Sequence, residues 1–391
     1  MAEIFPLRPS YAEIDLDNLA YNFNEIRSYV GNRRIMGVLK ADGYGHGAVE
    51  MARELLNQGI DHLGVAMLDE AIQLRKAGIA APILILGYTP PEQAETCLKY
   101  GITPTVYTHE VVKAFSDAAV KMSKKAFVHI KIDTGMGRIG VSPEEAVSFA
   151  SYLDKMPCVE IEGVFTHFSV ADEEDKSYTY WQMDQFNQVL EDIEKQGNVD
   201  IPIKHIANSP GTVDLPEAHM DMVRVGLLLF GLYPSPHMKN TIDLRPVLTV
   251  KSRVSYAKRV PQGTSVGYGR KFITETESII GTLPIGYADG YTRLLSNKGE
   301  VLVHGTRTPI VGAICMDQCM FLADEVPDVD TDDEVVLIGK QGNEEITVEE
   351  IADKLGTINY EIVTMLDKRM PRLYIKNGKV IKRKDLVVEI E

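Results

Sequence analysis

Between about residue 15 and residue 235 the chain repeats one pattern, a short apolar run rich in β-branched residues followed by an amphipathic stretch with helical spacing. Strand candidates lie near 35–40, 62–66, 83–87, 102–106, 127–132, 161–165, 203–207 and 222–225. Helical patterns fall between them at 47–58, 69–77, 91–99, 109–121, 143–154 and 181–195. Alternation of this kind builds a parallel sheet with crossover helices. Gly59, Gly78 and Gly101 stand where helices can end in a left-handed cap. About eight such units in roughly 220 residues predict a (β/α)8 barrel in preference to a doubly wound sheet.

After Leu244-Arg-Pro246 the texture changes. Segments 247–260, 264–268, 278–284, 300–304, 308–314, 334–339 and 372–381 read as short strands separated by Gly, Pro and Asp turns, with one helix near 347–355. The acidic stretch 328–334 reads as a solvated loop. The expected fold class is therefore α/β: an N-terminal TIM-type (β/α)8 barrel over 1–244 and a mainly β domain over 245–391.

A formal charge of −15 argues against nucleic acid or an anionic membrane as the main partner, because either needs a concentrated positive field. A small basic pocket for one phosphate is compatible with that charge. The four cysteines, Cys97, Cys158, Cys315 and Cys319, show neither a disulfide framework nor zinc-ligand spacing. Reduced thiols in a cytoplasm, with no bound metal, are expected. The opening residues Met-Ala-Glu-Ile-Phe-Pro lack a charged leader with an apolar run, and no stretch approaches the roughly 20 apolar residues that cross a bilayer.

In a parallel barrel, ligands bind where strands end and the following loops begin. Lys40, Asp133, Arg138, His167, Asn208, Ser209 and Arg224 occupy those positions. Lys40 ends the run Ile35-Met-Gly-Val-Leu39 and precedes a glycine-rich loop carrying Tyr44 and His46. Such a lysine is either a solvated charge or a desolvated amine suited to Schiff-base chemistry. The glycines, which let backbone approach a ligand closely, favour the second reading. In Phe127–Asp133 the apolar Val128, Ile130 and Ile132 share one face, and His129, Lys131 and Asp133 the other. The polar face points into a barrel, so Lys131 is expected to be buried, either paired with Asp133 or relieved of its charge by modification.

Arg138 sits among the glycines of Thr134-Gly-Met-Gly-Arg138-Ile-Gly, suited to an anionic oxygen. Asn208-Ser209-Pro-Gly-Thr212 and Arg224-Val-Gly226-Leu227 follow the seventh and eighth strands, where barrels often hold a phosphate on backbone donors and a helix N-terminus. Singly, each reads as well as a cap or a turn. In the β domain, Tyr268, Tyr287 and the Gly312–Asp317 loop with Met316 are either packing or site residues.

Taken together these segments resemble the alanine racemase family over essentially the whole chain and in the same order. They are Val38-Leu-Lys40-Ala-Asp-Gly-Tyr44-Gly-His-Gly47, Lys131-Ile-Asp-Thr-Gly-Met-Gly-Arg138, Thr166-His167-Phe168, Ala207-Asn-Ser209, Val223-Arg224-Val-Gly226, Gly267-Tyr268-Gly269, Gly286-Tyr287-Ala-Asp-Gly290, Cys315-Met-Asp317 and Asn359-Tyr360-Glu361.

The resemblance implies pyridoxal 5'-phosphate on Lys40, with its phosphate near Tyr44, Ser209, Gly226, Leu227 and Tyr360. It places Arg138 on the phenolic oxygen and Arg224 on the pyridine nitrogen, with His167 beside Arg224. It further implies interconversion of L- and D-alanine through an external aldimine, with Lys40 and Tyr268 as bases on opposite faces. Tyr268, Tyr287 and Met316 would come from the partner in a head-to-tail homodimer. Tyr287 and Met316 would narrow the entrance, and Arg138 with the Met316 backbone would hold the substrate carboxylate. Lys131 resembles a lysine that many members carry as a carbamate, and the expected role is supply of D-alanine for cell-wall precursors. The segment Gly267-Tyr268-Gly-Arg-Lys-Phe272 departs from the Ser-Tyr-Gly-Ala-Thr-Tyr form associated with much of the family, while retaining the tyrosine.

Rival readings are a pyridoxal-phosphate decarboxylase, which by analogy would present a carboxylate and a cysteine where Arg224 and Tyr268 stand, and a non-catalytic carrier, which would not need the second domain. A racemase of broader substrate range is the third, because a methylene in a pocket changes discrimination by only about 1–3 kcal/mol.

Overall fold

The computed structural model describes residues 8–197 and 199–385. The six opening residues considered above lie outside them. Contacts divide the chain into two compact units, one of residues 19–43 and 48–245, the other of residues 8–18, 44–47 and 246–385.

The chain opens on β1 (Tyr11–Asp15) and α1 (Leu16–Val30) and then enters eight parallel strands: β2 (Arg34–Val38), β3 (His62–Val65), β4 (Ile83–Ile85), β5 (Thr105–Val106), β6 (Ala126–Lys131), β7 (Val159–Phe165), β8 (Ile203–His205) and β9 (Met222–Val225). One ladder runs β4-β3-β2-β9 and another β5-β6-β7-β8. The Leu84–Thr103 bridge joins β4 to β5. Backbone bonds from Asp221 N to Lys204 O (3.1 Å) and from Arg224 N to Ala207 O (3.0 Å) join β9 to β8. The ring is thereby closed in chain order, as a (β/α)8 barrel requires.

The first unit's helices are α1, α2 (Ala48–Asn57), α3 (Leu68–Lys76), α4 (Ala94–Tyr100), α5 (His109–Met122), α6 (Pro143–Asp154), α7 (Ser177–Asp192) and the short α8 (Ser209–Asp214). Gly59, Gly78 and Gly101 take φ of +86°, +82° and +60°, the left-handed geometry that ends α2, α3 and α4. Met36, Leu84, Phe165, Ile203 and Met222 cluster as buried residues contributed by several strands.

In the second unit β1 lies between β10 (Leu248–Arg253), antiparallel to it, and the parallel strand Arg372–Lys376. A boundary at 244 would give residues 11–15 to the barrel. They pair elsewhere because Ala12 and Ile14 are fully buried on alternate positions and a ladder satisfies β1 on both sides.

The expected strand 247–260 is two strands in different sheets, β10 and β11 (Tyr256–Val260). The chain breaks between them, where Val254 N bonds to Asp333 O at 3.0 Å. Next come β12 (Ser265–Val266), β13 (Phe272–Ile273), β14 (Ser278–Leu283), β15 (Glu300–Val303), β16 (Thr306–Pro309), β17 (Cys319–Leu322), β18 (Glu334–Gln341) and β19 (Glu344–Ile346). The strand expected at 308–314 ends at Pro309, whose missing N–H closes a ladder. Helices α9 (Val348–Leu355) and α10 (Asn359–Met365) follow, and the expected strand 372–381 is a hairpin, β20 (Arg372–Lys376) and β21 (Lys379–Lys384). Its two-residue turn is Asn377-Gly378 with φ of +50° and +67°.

Candidate active site

At the barrel mouth, Lys40 follows β2 and begins a left-handed turn. Ala41, Asp42 and Gly43 take φ of 53°, 51° and 65°, and Tyr44 takes 52°. Three non-glycine residues in this region are strained, and strain of this kind collects at functional sites. The turn is held by Gly43 N to Leu39 O at 2.9 Å, by Ala48 N to the Asp42 carboxylate at 2.9 Å and by Ala41 N to the Glu70 carboxylate at 2.7 Å. Burial lowers the Lys40 amine below its ordinary range, as does the charge of Arg138, against an opposing pull from Glu70.

Two of the glycines after the lysine have a packing reason of their own. A Cβ at Gly45 would lie 2.3 Å from Val363 O, and one at Gly47 would lie 1.9 Å from the Tyr374 hydroxyl. They let this loop press against its own unit.

Lys131 is 2% exposed, as its inward position on β6 predicts. It forms no ion pair with Asp133 among the described residues. Its Nζ donates to Ile132 O at 2.8 Å, while Asp133 Oδ1 accepts from Gly135 N and Gly137 N, both at 3.0 Å. Burial, then the Arg224 charge, pulls the Lys131 amine down to about 7.

Arg224 projects inward from β9 and is buried. Nη1 donates to His205 Nδ1 (3.0 Å) and His205 O (3.1 Å). Nη2 donates to Thr166 O (2.8 Å), His167 Nδ1 (3.0 Å) and Ile206 O (3.0 Å). Among the described residues Nε alone of the guanidinium nitrogens is outside these bonds. Burial, with Arg138 nearby, draws Arg224 down to about 9, which leaves it a cation at neutral pH. His167 is held well below its ordinary value by burial, then by Arg224, Lys131, Arg138 and Lys40. The mouth of a strongly acidic chain is therefore locally positive and can accept an anionic group.

Ser209 and Gly226, predicted on separate loops, meet: Gly226 N donates to Ser209 Oγ at 3.0 Å. Asn208 is the N-cap of α8, its side chain accepting from Gly211 N at 3.1 Å, so its role is structural. Leu227 is fully buried at the start of a 3-10 turn.

His205 was not singled out from the sequence, although its strand was. It lies two residues beyond the apolar Ile203 on the inward face of β8, and it stacks on Phe165 with centroids 4.7 Å apart. A polar residue at an apolar-period position was the signal available.

The second unit carries the other predicted residues in two groups. Tyr44, buried, and Tyr360 have ring centroids 6.1 Å apart. Tyr268, Tyr287 and Met316 line an open cavity of about 960 Å³ together with Arg293, Cys315 and Asp317. Tyr287 N bonds to Cys315 O at 3.1 Å and Ala288 N to Met316 O at 3.0 Å. Gly286 permits that junction, because a Cβ there would lie 2.3 Å from Cys315 O. Arg369 fastens the same two loops, bonding Asp289 at 2.7 Å and Asp317 at 2.6 Å.

The family model described as alanine racemase, N-terminal domain, matches residues 14–234, and that described as alanine racemase, C-terminal domain, matches residues 247–374. The alanine racemase of Halothermothrix orenii is 50% identical, with 94% of this chain and 97% of that protein covered. Among solved structures, alanine racemase of Clostridium difficile 630 is 42% identical with a TM-score of 0.94, covering 98% of this chain and all (100%) of that one. A histidine racemase from Leuconostoc mesenteroides subsp. sake is 30% identical with a TM-score of 0.88, covering 95% and 99%. Both domains are matched in order, and the barrel mouth gathers a lysine at the head of a strained turn and a buried arginine bonded to two imidazoles; the chain belongs to the alanine racemase family.

Proposed function

We propose that the chain interconverts L- and D-alanine with pyridoxal 5'-phosphate carried on Lys40, supplying D-alanine for cell-wall precursors. The observation that carries this reading is the Arg224 guanidinium, whose Nη atoms are committed to protein acceptors while Nε is left for a ring nitrogen. The residues fit the cofactor. The cationic mouth suits its phosphate and phenolic oxygen, and Ser209, Gly226 and Leu227 with Tyr44 and Tyr360 would hold the phosphate, with Arg138 at the phenolic oxygen. When bound, pyridoxal phosphate would draw electrons from the substrate Cα and so acidify its C–H bond. An arginine does not readily surrender a proton to a pyridine, which restrains that electron demand and disfavours decarboxylase-like and transaminase-like side reactions.

A deprotonated Cα is planar, so a single base returns the configuration it started from. Inversion needs a proton group on each face. Lys40 fits one, because burial and Arg138 both favour its neutral amine, the form that accepts a proton. Tyr268 fits the other, supplied by the partner of a head-to-tail homodimer. In support, Tyr268 is 73% exposed, Met316 53% and Tyr287 41% in the single chain, three large side chains left open around one cavity, as they would be where another subunit covers them. Arg138 and the Met316 backbone would hold the substrate carboxylate, and Tyr287 with Met316 would limit the side chain. Lys131, as a carbamate, would give Arg138 an anionic support. No described helix is long and apolar enough to cross a membrane, and a cytoplasmic site of action fits an enzyme that makes cell-wall precursors.

Incubation with L-alanine in deuterated water tests the reading. Inversion with deuterium at Cα is expected, and retention with uptake would leave one competent base. Racemisation of a larger amino acid in preference to alanine is the second reading, favoured by the histidine racemase that shares this fold. The same assay across amino acids separates the two.

A further inference from the structure

One side-chain layer below Lys131, the barrel holds a chain of polar groups that the proposed chemistry does not use. His205, bonded to Arg224 through Nδ1, places Nε2 at 2.9 Å from His129 Nδ1. His129 Nε2 lies 3.3 Å from Glu162 Oε2, a contact longer than the two before it and short of a well-formed hydrogen bond. Glu162 Oε2 is also 3.3 Å from the Thr103 hydroxyl. Both histidines are fully buried, whereas the Glu162 side chain is 27% exposed.

Both ends of this chain set the same direction, since the guanidinium only donates and the carboxylate only accepts. A guanidinium only donates, so His205 Nδ1 must accept and the neutral ring carries its proton on Nε2. That proton is given to His129 Nδ1, which leaves the His129 proton on Nε2, pointed at the Glu162 carboxylate. Burial favours the neutral form of both rings. The result is a buried cation and a carboxylate joined through two neutral imidazoles, all polarised one way.

The backbone is shaped for this arrangement. The β6–β7 register passes from Val128↔Ile161 to His129↔Gly163, which leaves Glu162 as the extra residue of a bulge. Opposite His129, a Cβ at Gly163 would lie 2.5 Å from the ring Cε1, so glycine there makes room for the imidazole. His62 on β3 also faces Glu162, and His62, Lys131 and Arg224 all bear on His205.

We infer that Glu162 and His129 are positioning residues for the proposed reaction: from the layer beneath the site they reinforce the tautomer that Arg224 imposes on His205, and hold that ring, and with it the Arg224 guanidinium, in place. Their kinetic consequence rests on the alanine racemase reading, but the hydrogen-bond direction does not.

The test is a two-bond ¹H–¹⁵N spectrum of the holoenzyme labelled at histidine nitrogens, together with kinetics of Glu162→Gln and His129→Gln. In the wild type His129 and His205 should both be neutral Nε2–H tautomers between pH 6 and 9. Glu162→Gln should mix the two tautomers of His129 and lower kcat about three- to tenfold at nearly constant KM, the order expected when a carboxylate 3.3 Å from a buried ring nitrogen loses its charge. Glu162→Asp, which keeps the charge, should recover part of both effects. His129→Gln should likewise loosen the His205 tautomer, leaving Arg224 as its one support. A wild-type ring found cationic or protonated on Nδ1 overturns the inference without any variant. So does a Glu162→Gln enzyme that loses activity while its tautomers stay fixed, since that is a purely structural loss. A wild type inert toward alanine would overturn the functional reading and leave the tautomer result to be judged separately.

Discussion

Arg224 Nη2 lies 3.0 Å from His167 Nδ1, and because the guanidinium can only donate, neutral His167 carries its proton on Nε2. The same guanidinium serves His205 Nδ1 and the carbonyls of Thr166, His205 and Ile206. A lysine in its place keeps the charge but brings one nitrogen with three hydrogens to acceptors spread around a planar fork. Arg224→Lys should therefore lower stability by about 2–3 kcal/mol, the order of a lost charged hydrogen bond in a buried site, read as a shift in urea midpoint. It should also reduce kcat/KM by at least about tenfold. An unchanged midpoint would mean that the carbonyls find other donors.

Tyr268→Phe removes the proposed proton group from one face and leaves Lys40 on the other. Deuterium exchange at Cα should then survive from one enantiomer with retention and collapse from the other, by about a hundredfold or more, the scale of positioned acid–base catalysis. Exchange assays started separately from L- and D-alanine in deuterated water make the comparison. Equal loss from both enantiomers would contradict a single-face role.

The barrel was legible because each of its strands is a short apolar run between helical patterns, whereas closure, which eight units do not by themselves require, rests on the links from β4 to β5 and from β8 to β9. The position of β1 was not, since Ala12 and Ile14 show the same alternation whichever sheet they join. The four residues of β17 fall in no expected strand, since so short a run shows little periodicity, and Asn377-Gly378, a strong hairpin signal, lies inside the single strand expected over 372–381. At the site, residue types at strand ends exposed Lys40, Arg138 and Arg224, while His205 and Glu162 escaped notice. Their importance lies in the contacts of one inward layer, and a bulge that turns Glu162 toward His129 leaves no mark in periodicity.

Gly47 should tolerate no side chain. Its φ is +99°, and a Cβ would stand 1.9 Å from the Tyr374 hydroxyl, itself part of a fully buried side chain. Gly47→Ala combines backbone strain with overpacking, each about 1–3 kcal/mol. Thermal unfolding should show a marked drop in Tm. Adding Tyr374→Phe removes the clashing oxygen and should recover part of the loss, with the strain remaining. Full recovery would assign the cost to packing alone, and no recovery would assign it to the backbone.

Lys131 couples stability to pH in a direction that can be worked out. Its amine titrates near 7 in the fold against an ordinary value of 10.5. Between these values the unfolded chain holds a proton that the folded chain lacks, so stability rises with pH across this window. Below about pH 7 both states are protonated, and the penalty of a buried ammonium is fully present. The unmodified, ligand-free protein should gain stability from pH 7 to pH 9 relative to Lys131→Met, measured as the difference in urea midpoints. The same free amine can add to carbon dioxide, forming an N–C bond and releasing a proton, which yields an anion beside Arg138 and Arg224. With ¹³C-bicarbonate at pH 8 the wild type should show a carbamate carbon resonance that Lys131→Met lacks. A wild type with the predicted pH dependence but no carbamate signal would keep Lys131 as a neutral amine donating to Ile132 O, and Arg138 would then need another anion.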